Sequence, residues 1–175
     1  MAQASKKASS IEKIEKEISQ TNHPQNPVVE SLQTQLANSF VVYLNYKHYH
    51  WQTFGPLFRD MHRLFDELAA EVYETIDEFA ERIRMIGQNP LSRLEELIAN
   101  STVKSAAKNT DMREMIKEAQ GNAVMIIKHM RGAIKMCEDA DDPGTADVFT
   151  RHLQIYEKHE WFLRDILETQ DGLTS

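Results

Sequence analysis

Cysteine, glycine and proline are all scarce in this chain of 175 residues, which has one cysteine, six glycines and five prolines. A single cysteine, Cys137, excludes an intrachain disulfide framework. The few glycines and prolines lie mostly between long periodic segments, which favours helices over a β fold. No run approaches the roughly 20 apolar residues that cross a bilayer. The first ten residues, MAQASKKASS, lack the apolar segment of a secretory signal, so we expect a cytoplasmic protein with no membrane contact.

Basic residues are also fewer than acidic residues in this chain. The chain has 20 lysines and arginines against 27 aspartates and glutamates, a formal net charge of -7. Binding to nucleic-acid phosphates needs clustered positive charge, so this balance argues against general affinity for DNA, and an acidic surface would instead attract cations. A hydrophobic content of 41% over this length is sufficient for one domain with a real core.

Long periodic segments separated by short breaks predict an all-α protein. Residues 1–27 are polar and are interpreted as a mobile N-terminal arm, residues 28–170 as one helical domain, and residues 171–175 as a short tail. The expected long helices are 28–53, 56–86, 112–137 and 145–169, with a short helix at 91–99 between the second and third. Gly55-Pro56 breaks the first helix and places a proline in the first turn of the second, which Gly87 is expected to cap. This order fits a four-helix bundle in which one connection carries an extra helix.

The most informative feature is a set of metal-binding side chains on and before the second helix. His62 and Asp66 are four residues apart, as are Asp77 and Glu81, and His50 lies twelve residues before His62. At about 100° per residue, the four helical side chains fall within an arc of about 100° on one face. Imidazole with carboxylate binds zinc, manganese and non-haem iron, and a carboxylate-rich set with open positions favours redox iron. The alternative interpretation is an ordinary solvated helix face.

The distance between the two pairs decides what kind of site is expected. Asp66 and Asp77 are separated by about 16 Å along a helix, and one metal ion with bonds of about 2 Å cannot bridge them. Either the pairs are two unrelated half-sites, or a second copy of the chain completes each one. If two such helices pack antiparallel across a two-fold axis, the His62/Asp66 pair of one copy faces the Asp77/Glu81 pair of the other.

The order and spacing of these residues resemble the ferroxidase motif of the Dps family, the DNA-binding proteins from starved cells, also called mini-ferritins. The similar segments are His50-Trp51-Gln-Thr-Phe-Gly-Pro, His62-x3-Asp66, Asp77-x3-Glu81-Arg82, Gly87, Thr145-Ala146-Asp147 at the start of the last helix and Trp161-Phe162 near its end. The resemblance spans about residues 30–168, including the short helix, and its motifs are highly specific.

This resemblance implies a ferritin-like four-helix bundle that assembles into a hollow homo-dodecamer. The family oxidises Fe(II), with hydrogen peroxide as the favoured oxidant and oxygen as the other, and stores Fe(III) as a mineral that protects against oxidative damage. We therefore expect a ferroxidase that binds iron, with zinc as a competitor. By the same resemblance, His50, His62 and Asp66 come from one subunit, and Asp77 and Glu81 from its two-fold mate.

The resemblance also implies accessory roles. Trp51 and Trp161 are similar to aromatic residues that can intercept radicals near the family's site. Asp142 and Asp147, in and after the acidic turn between the last two helices, would line an iron-entry pore, although Asp142 is alternatively a helix cap. For His152 and His159, seven residues apart on the last helix, both polar packing and an auxiliary metal role are open.

Many members of the family bind DNA through a lysine-rich N-terminal tail, but the charges of this arm are nearly balanced. Lysines at positions 6, 7, 13 and 16 are offset by glutamates at 12, 15 and 17, which leaves an excess of one positive charge. We therefore expect weak DNA binding at most. The rival interpretation is a DNA-compacting protein of the nucleoid in which iron binding is secondary.

Overall fold

The fold is an all-α bundle, as the sequence predicts. The computed structural model describes residues 26–108 and 111–169, and these contain helices but no strands. The helices are α1 (Pro27–Gln52), α2 (Phe58–Met85), α3 (Leu94–Asn100), α4 (Met112–Asp139) and α5 (Pro143–Leu167). The short helix α3 lies in the connection between α2 and α4, where it was expected. The tail and, apart from its last two residues, the arm predicted at 1–27 lie outside the described residues.

Two helix pairs make up the bundle. The most extensive packing joins α1 to α2 and α4 to α5, and the pairs are held together by contacts of α1 with α4 and of α2 with α5, while α3 packs on α1. The helices α2 and α4 are strongly amphipathic and turn an apolar face inward, whereas α1 also buries polar side chains such as Gln35 and Asn38. The largest side chains that are fully buried in the core are aromatic: Tyr46, Tyr49, Tyr156, Phe65, Phe79 and Phe149. No helix in the described part of the chain is long and apolar enough to span a membrane.

The helix ends follow from local signals in the sequence. The Asn26 side chain accepts a hydrogen bond from the backbone of Val28 and caps α1, as expected for asparagine at this position. At the end of α2, Gly87 has a φ of 83°, and the N–H of the next residue, Gln88, donates to the Ile83 carbonyl at 3.0 Å. This left-handed glycine cap confirms the predicted end of the helix.

The position predicted for Pro56, in the first turn of α2, is wrong. The helix begins two residues later, at Phe58, and the N–H of Phe58 donates to the carbonyl of Gly55 at 3.0 Å. Gly55 has a φ of 85°, a conformation that favours glycine. Gly55 and Pro56 therefore belong to a tight turn that reverses the chain between α1 and α2.

Candidate metal centre

The turn between α1 and α2 brings His50 and His62 into direct contact. Their rings stack with centroids 3.7 Å apart and planes inclined by 22°. The Nδ1 atom of His50 lies 2.7 Å from the His62 carbonyl oxygen, and the Nδ1 atom of His62 lies 2.9 Å from the His50 carbonyl oxygen. Thr53 in the turn also donates its hydroxyl to the His50 carbonyl, at 2.9 Å. The two histidines are therefore held by backbone groups of each other's helix.

These contacts fix which nitrogen of each ring is available to a metal. A carbonyl oxygen can only accept, so Nδ1 carries the hydrogen in both His50 and His62. In the neutral ring the lone pair is then on Nε2, and neutral imidazole is the form that binds metals. A hydrogen bond from the second ring nitrogen to a carbonyl is also the usual way in which proteins orient a metal-binding histidine.

Asp66 completes this half of the site on the next turn of α2. Its Oδ1 atom accepts a hydrogen bond from Lys47 Nζ at 2.6 Å, and this bond lowers the pKa of Asp66, with further contributions from the charges of Lys47, His50 and His62. The charges of both histidines thus reach Asp66, but the three side chains are not arranged to hold a metal ion within one subunit, as far as the described residues show. Asp66 is 56% exposed, so the carboxylate can be reached from outside the bundle.

Sequence reasoning missed Lys47, which lies on α1 beside the first half of the site. The ammonium group lies between Asp66 and the ring of Trp51, 5.8 Å from the ring centroid. The available signal was its position three residues before His50, which places both side chains on the same face of α1. Lys47 therefore neutralises Asp66 when no metal is bound.

Asp77 and Glu81 form the other half-site, three turns further along α2. Both side chains are exposed, and neither has a hydrogen bond or an ion pair in the described part of the chain. Asp77 also lines a groove with the apolar side chains of Leu36, Phe40 and Ile76. These carboxylates are thus open to an incoming group beside an apolar surface.

A single subunit does not bring the two halves together. Within residues 26–108 and 111–169, no three histidine, cysteine, aspartate or glutamate side chains are arranged to hold a metal ion. Asp66 and Asp77 lie on the same continuous helix, which separates them by about 16 Å. The first half offers two histidines with one aspartate, and the second offers two carboxylates.

The surface around both halves is unusually apolar for an exposed face. Trp51 is 66% exposed, and large exposed side chains nearby in the sequence are Phe54, Leu57, Phe58 and Tyr73. Tyr73 lies on α2 between the two pairs and packs against Tyr43, with ring centroids 5.5 Å apart. Large apolar side chains that are exposed together are frequent in protein interfaces.

Comparisons with known proteins agree with this architecture. Residues 29–172 match the family described as Ferritin-like domain. The chain is 34% identical over 144 residues to DNA protection during starvation protein 1 of Deinococcus radiodurans, covering 82% of this chain and 70% of that protein. The solved structure of Dps from Thermosynechococcus elongatus has 42% identity and a TM-score of 0.81, covering 85% of this chain and 94% of that one. The chain belongs to the Dps family.

A further Dps structure that is similar to this chain comes from a crystal soaked with zinc. Dps from Listeria innocua soaked with zinc has 28% identity and a TM-score of 0.76, and the match covers 80% of this chain and 95% of that one. The expected ferritin-like bundle with an extra short helix is thus confirmed both by the helices themselves and by these Dps relatives.

The two tryptophans in this Dps-family chain occupy different surroundings. Trp51 lies beside Lys47, as described, and therefore next to the candidate metal centre. Trp161 on α5 donates its Nε1–H to Asp165 at 2.6 Å. It also lines a pocket with Met61 and Leu64 of α2, so it lies close to the helix segment that carries His62.

The two aspartates predicted at the pore also differ. Asp142 caps α5 by accepting hydrogen bonds from the Thr145 N–H at 3.0 Å and from its hydroxyl at 2.6 Å. It also forms an ion pair of 2.7 Å with Arg82. The alternative interpretation of Asp142 as a helix cap is therefore confirmed. Asp147 is 67% exposed and forms a surface ion pair with Arg151.

His152 and His159 are engaged in polar packing. Both are buried, and each lies 3.1 Å through Nε2 from a glutamate of α2: His152 from Glu78, and His159 from Glu71. Burial lowers the pKa of His152 below its usual value, and it lowers the pKa of His159 to about 4. Neither pair gains a third metal-binding side chain within the described residues.

Proposed function

We propose that this Dps-family protein oxidises Fe(II), preferably with hydrogen peroxide, and stores the Fe(III) as a mineral inside a dodecameric shell. The observation that carries this proposal is the pair of reciprocal hydrogen bonds from the Nδ1 atoms of His50 and His62 to each other's backbone carbonyls, which leaves both Nε2 atoms available to a metal. Asp66 lies beside them as a carboxylate. Iron is the substrate, and zinc competes for the same ligands.

Two subunits contribute to each proposed site. The half with His50, His62 and Asp66 lacks a fourth ligand, and the half with Asp77 and Glu81 is exposed without a partner of its own in the described part of the chain. A two-fold axis through the apolar surface around Tyr73 would place each half against its complement in the second copy. An isologous contact repeats itself, so each dimer would hold two equivalent sites.

The ligand set suits iron oxidation. Hard anionic carboxylates favour Fe(III) over Fe(II), while the imidazoles fix the geometry and leave positions open for the oxidant. When two Fe(II) ions each give one electron to the same peroxide, the O–O bond is cleaved to water without release of a hydroxyl radical. Lys47 must leave Asp66 as iron arrives, and its charge can then move towards the ring of Trp51.

Iron would reach the interior past the turn between α4 and α5. We assign Asp147 to this path because its carboxylate is exposed, and acidic surfaces raise the local concentration of cations. Asp142 would act indirectly, by holding the start of α5 in place through its cap and its ion pair with Arg82.

The double variant His62→Ala/Asp66→Ala tests the proposal. We expect it to lose most of the peroxide-driven oxidation of Fe(II), followed by the near-ultraviolet absorbance of Fe(III). A matched control is Arg63→Ala/Glu67→Ala, which changes two exposed residues one position further along α2. An unchanged rate in the first variant would contradict the site, and an equal loss in both variants would point to a general disturbance of α2.

DNA binding is the second candidate function. The name of the Deinococcus radiodurans relative, DNA protection during starvation protein 1, favours it, whereas the net charge of -7 opposes it. In that case the protein would associate with the nucleoid and compact DNA, with iron binding secondary.

A further inference from the structure

A buried tyrosine lies next to a buried histidine just beneath the candidate metal centre. The Tyr46 hydroxyl oxygen is 3.3 Å from His159 Nδ1, and the other nitrogen of that ring, Nε2, is 3.1 Å from Glu71 Oε2. Tyr46 is 1% exposed and His159 is 0% exposed. The three side chains form a continuous line from the core of the bundle to the partly exposed carboxylate of Glu71.

The charges along this line determine where each hydrogen lies. Burial opposes the ionisation of Glu71, but hydrogen bonds from Lys158 and His159 outweigh it and lower its pKa. Glu71 is therefore a carboxylate that only accepts, so His159 donates its Nε2–H to it. Because burial lowers the pKa of His159 to about 4, its Nδ1 carries no hydrogen at neutral pH and accepts the hydroxyl of Tyr46.

Tyr46 is also close to the residues that would bind iron. It precedes His50 by one helical turn on α1, or about 6 Å. Its ring packs against Phe65, with centroids 6.2 Å apart, and Phe65 is the immediate neighbour of Asp66 on α2. The phenol thus lies one layer inside the bundle from the metal-binding face.

We propose that Tyr46 is a redox-active residue that donates one electron to an oxidant at the metal centre while its phenolic proton moves to Nδ1 of His159. This inference rests on the proposed iron oxidation, which would supply the oxidant. The relevant case is a site that holds a single Fe(II), where peroxide accepts only one electron and yields Fe(III), hydroxide and a hydroxyl radical.

The electrons and protons balance over two steps. In the first, Tyr46 gives one electron to the hydroxyl radical, which becomes hydroxide, and the O–H proton of Tyr46 passes to His159. The product is a neutral tyrosyl radical hydrogen-bonded to an imidazolium that Glu71 stabilises. In the second step, a newly arrived Fe(II) gives one electron to Tyr46, and the proton returns from His159. The sum is two Fe(II) oxidised by one peroxide, which is the stoichiometry of the ordinary reaction.

The other fully buried tyrosines in the described part of the core, Tyr49 and Tyr156, have no histidine acceptor, although Tyr49 has the carboxylate of Glu118 near its hydroxyl. Tyr156 is equally buried, but its hydroxyl lies 3.5 Å from the hydroxyl of Ser39, and a neutral hydroxyl is a poor acceptor for a whole proton. Burial also raises the pKa of Tyr46 well above its usual value, so this phenol does not lose its proton to solvent before it loses an electron. A hydrogen-bonded imidazole acceptor is therefore the feature that distinguishes Tyr46.

Electron paramagnetic resonance on rapidly frozen samples tests the proposal. Peroxide is mixed with assembled protein that carries less than one Fe(II) per site, and we expect a tyrosyl signal that is lost in Tyr46→Phe. Tyr156→Phe is the matched control, since it removes the hydroxyl of another buried tyrosine. A signal of equal size in Tyr46→Phe, or no tyrosyl signal in the wild type despite Fe(III) formation, would overturn the inference while leaving the proposed function intact.

A second experiment works without iron, so it tests the role of Tyr46 and His159 even if the protein does not oxidise Fe(II). A photogenerated one-electron oxidant is applied to the iron-free protein, and tyrosyl formation is compared among the wild type, Tyr46→Phe and His159→Gln. Positioned proton acceptors accelerate reactions by roughly 10²–10⁴-fold, so we expect His159→Gln to slow radical formation by about a hundredfold. Circular dichroism confirms that the variant is folded. An unchanged rate in folded His159→Gln would refute the role of the histidine.

Discussion

His50 and His62 each donate an Nδ1–H to the backbone carbonyl of the other, over 2.7 and 2.9 Å. These reciprocal bonds join the end of α1 to the beginning of α2 and set the tautomer of both rings. The nitrogens that we propose to bind iron are therefore oriented before any ion arrives, so little ordering would be required on binding. What one subunit lacks is the second pair of ligands, which the same helix carries about 16 Å away.

The proposed division of the site between subunits predicts that two inactive variants will complement each other. His62→Ala/Asp66→Ala lacks one half, and Asp77→Asn/Glu81→Gln lacks the other. In a mixed dimer, one site combines both intact halves and the other combines both damaged halves. Random mixing should therefore restore about a quarter of the wild-type sites.

The measurement is the rate of Fe(II) oxidation after the two variants are unfolded together and reassembled. Mixing each variant with itself is the control. Complete inactivity of a mixture that assembles normally would indicate that each site belongs to one subunit.

Lys47 should compete with metal for Asp66. The ion pair of 2.6 Å between them is partly exposed, and such pairs contribute about 0.2–1 kcal/mol. We therefore expect Lys47→Met to tighten zinc binding by up to about fivefold, as measured by calorimetry. Lys117→Met, which removes an exposed pair with Glu114 on α4, should leave the affinity unchanged. Weaker zinc binding in Lys47→Met would show that the lysine assists the site instead.

The buried His159 should make the stability depend on pH. The unfolded chain binds a proton at this residue near pH 6.5, whereas the folded protein binds it only near pH 4. Between these values the unfolded state holds more protons, so the free energy of unfolding falls as the pH is lowered, by up to about 3 kcal/mol. Because the pKa of Glu71 is also lowered, protonation of Glu71 lowers the free energy of unfolding further at more acidic pH.

Urea denaturation of the iron-free protein at pH 7 and pH 5 measures this effect, at one protein concentration because the protein is oligomeric. His159→Gln should reduce the difference between the two pH values. His48→Gln, at a less buried position on α1, should not. An identical pH dependence in His159→Gln would mean that other groups determine it.

Asp142, which lies near the proposed pore, should also stabilise the folded protein. It caps α5 and pairs with Arg82, and loss of such a cap costs about 0.5–2 kcal/mol. We expect Asp142→Ala to lower the free energy of unfolding by about 2 kcal/mol, measured by denaturation at fixed concentration. Asp139→Ala, an exposed carboxylate at the end of α4, is the matched control. Equal stability of the two variants would contradict the capping role.

DNA binding should be weak even at low salt. The arm carries an excess of one positive charge, and changing the glutamates at positions 12, 15 and 17 to glutamine would raise this excess to four. Because phosphate contacts dominate affinity, we expect the triple variant to retard DNA in a gel shift more strongly than the wild type. Clear retardation by the wild-type chain would instead support the nucleoid function.

Helix positions were the most predictable part of the structure. The four long helices begin and end within two residues of their predicted bounds. Apolar periodicity and caps such as Gly87 depend only on residues that are close together in the sequence, so both can be recognised there. The exception at Pro56 has the same local origin, since a glycine with positive φ and a proline can form a turn before a helix as readily as the first turn within one.

Contacts between residues that are far apart in the sequence were harder to predict from it. Periodicity shows which face of a helix a side chain occupies, but not which side chain of another helix it meets. Lys47 and Asp66 are on different helices, and Tyr46 and His159 are 113 positions apart. The spacing of His152 and His159 correctly placed them on one side of α5, yet their glutamate partners on α2 became evident only from the packing of the two helices.

The length of the segment between Asp66 and Asp77 limits which mutations the chain can accept. Eleven positions are close to three turns of an α-helix, which is why both pairs of ligands share one face of α2. One inserted or deleted residue in this segment would turn Asp77 and Glu81 by about 100° relative to His62 and Asp66. Such a change would disable both proposed sites of a dimer at once, even though it alters no ligand. Residues 67–76 can therefore vary in identity much more freely than in number.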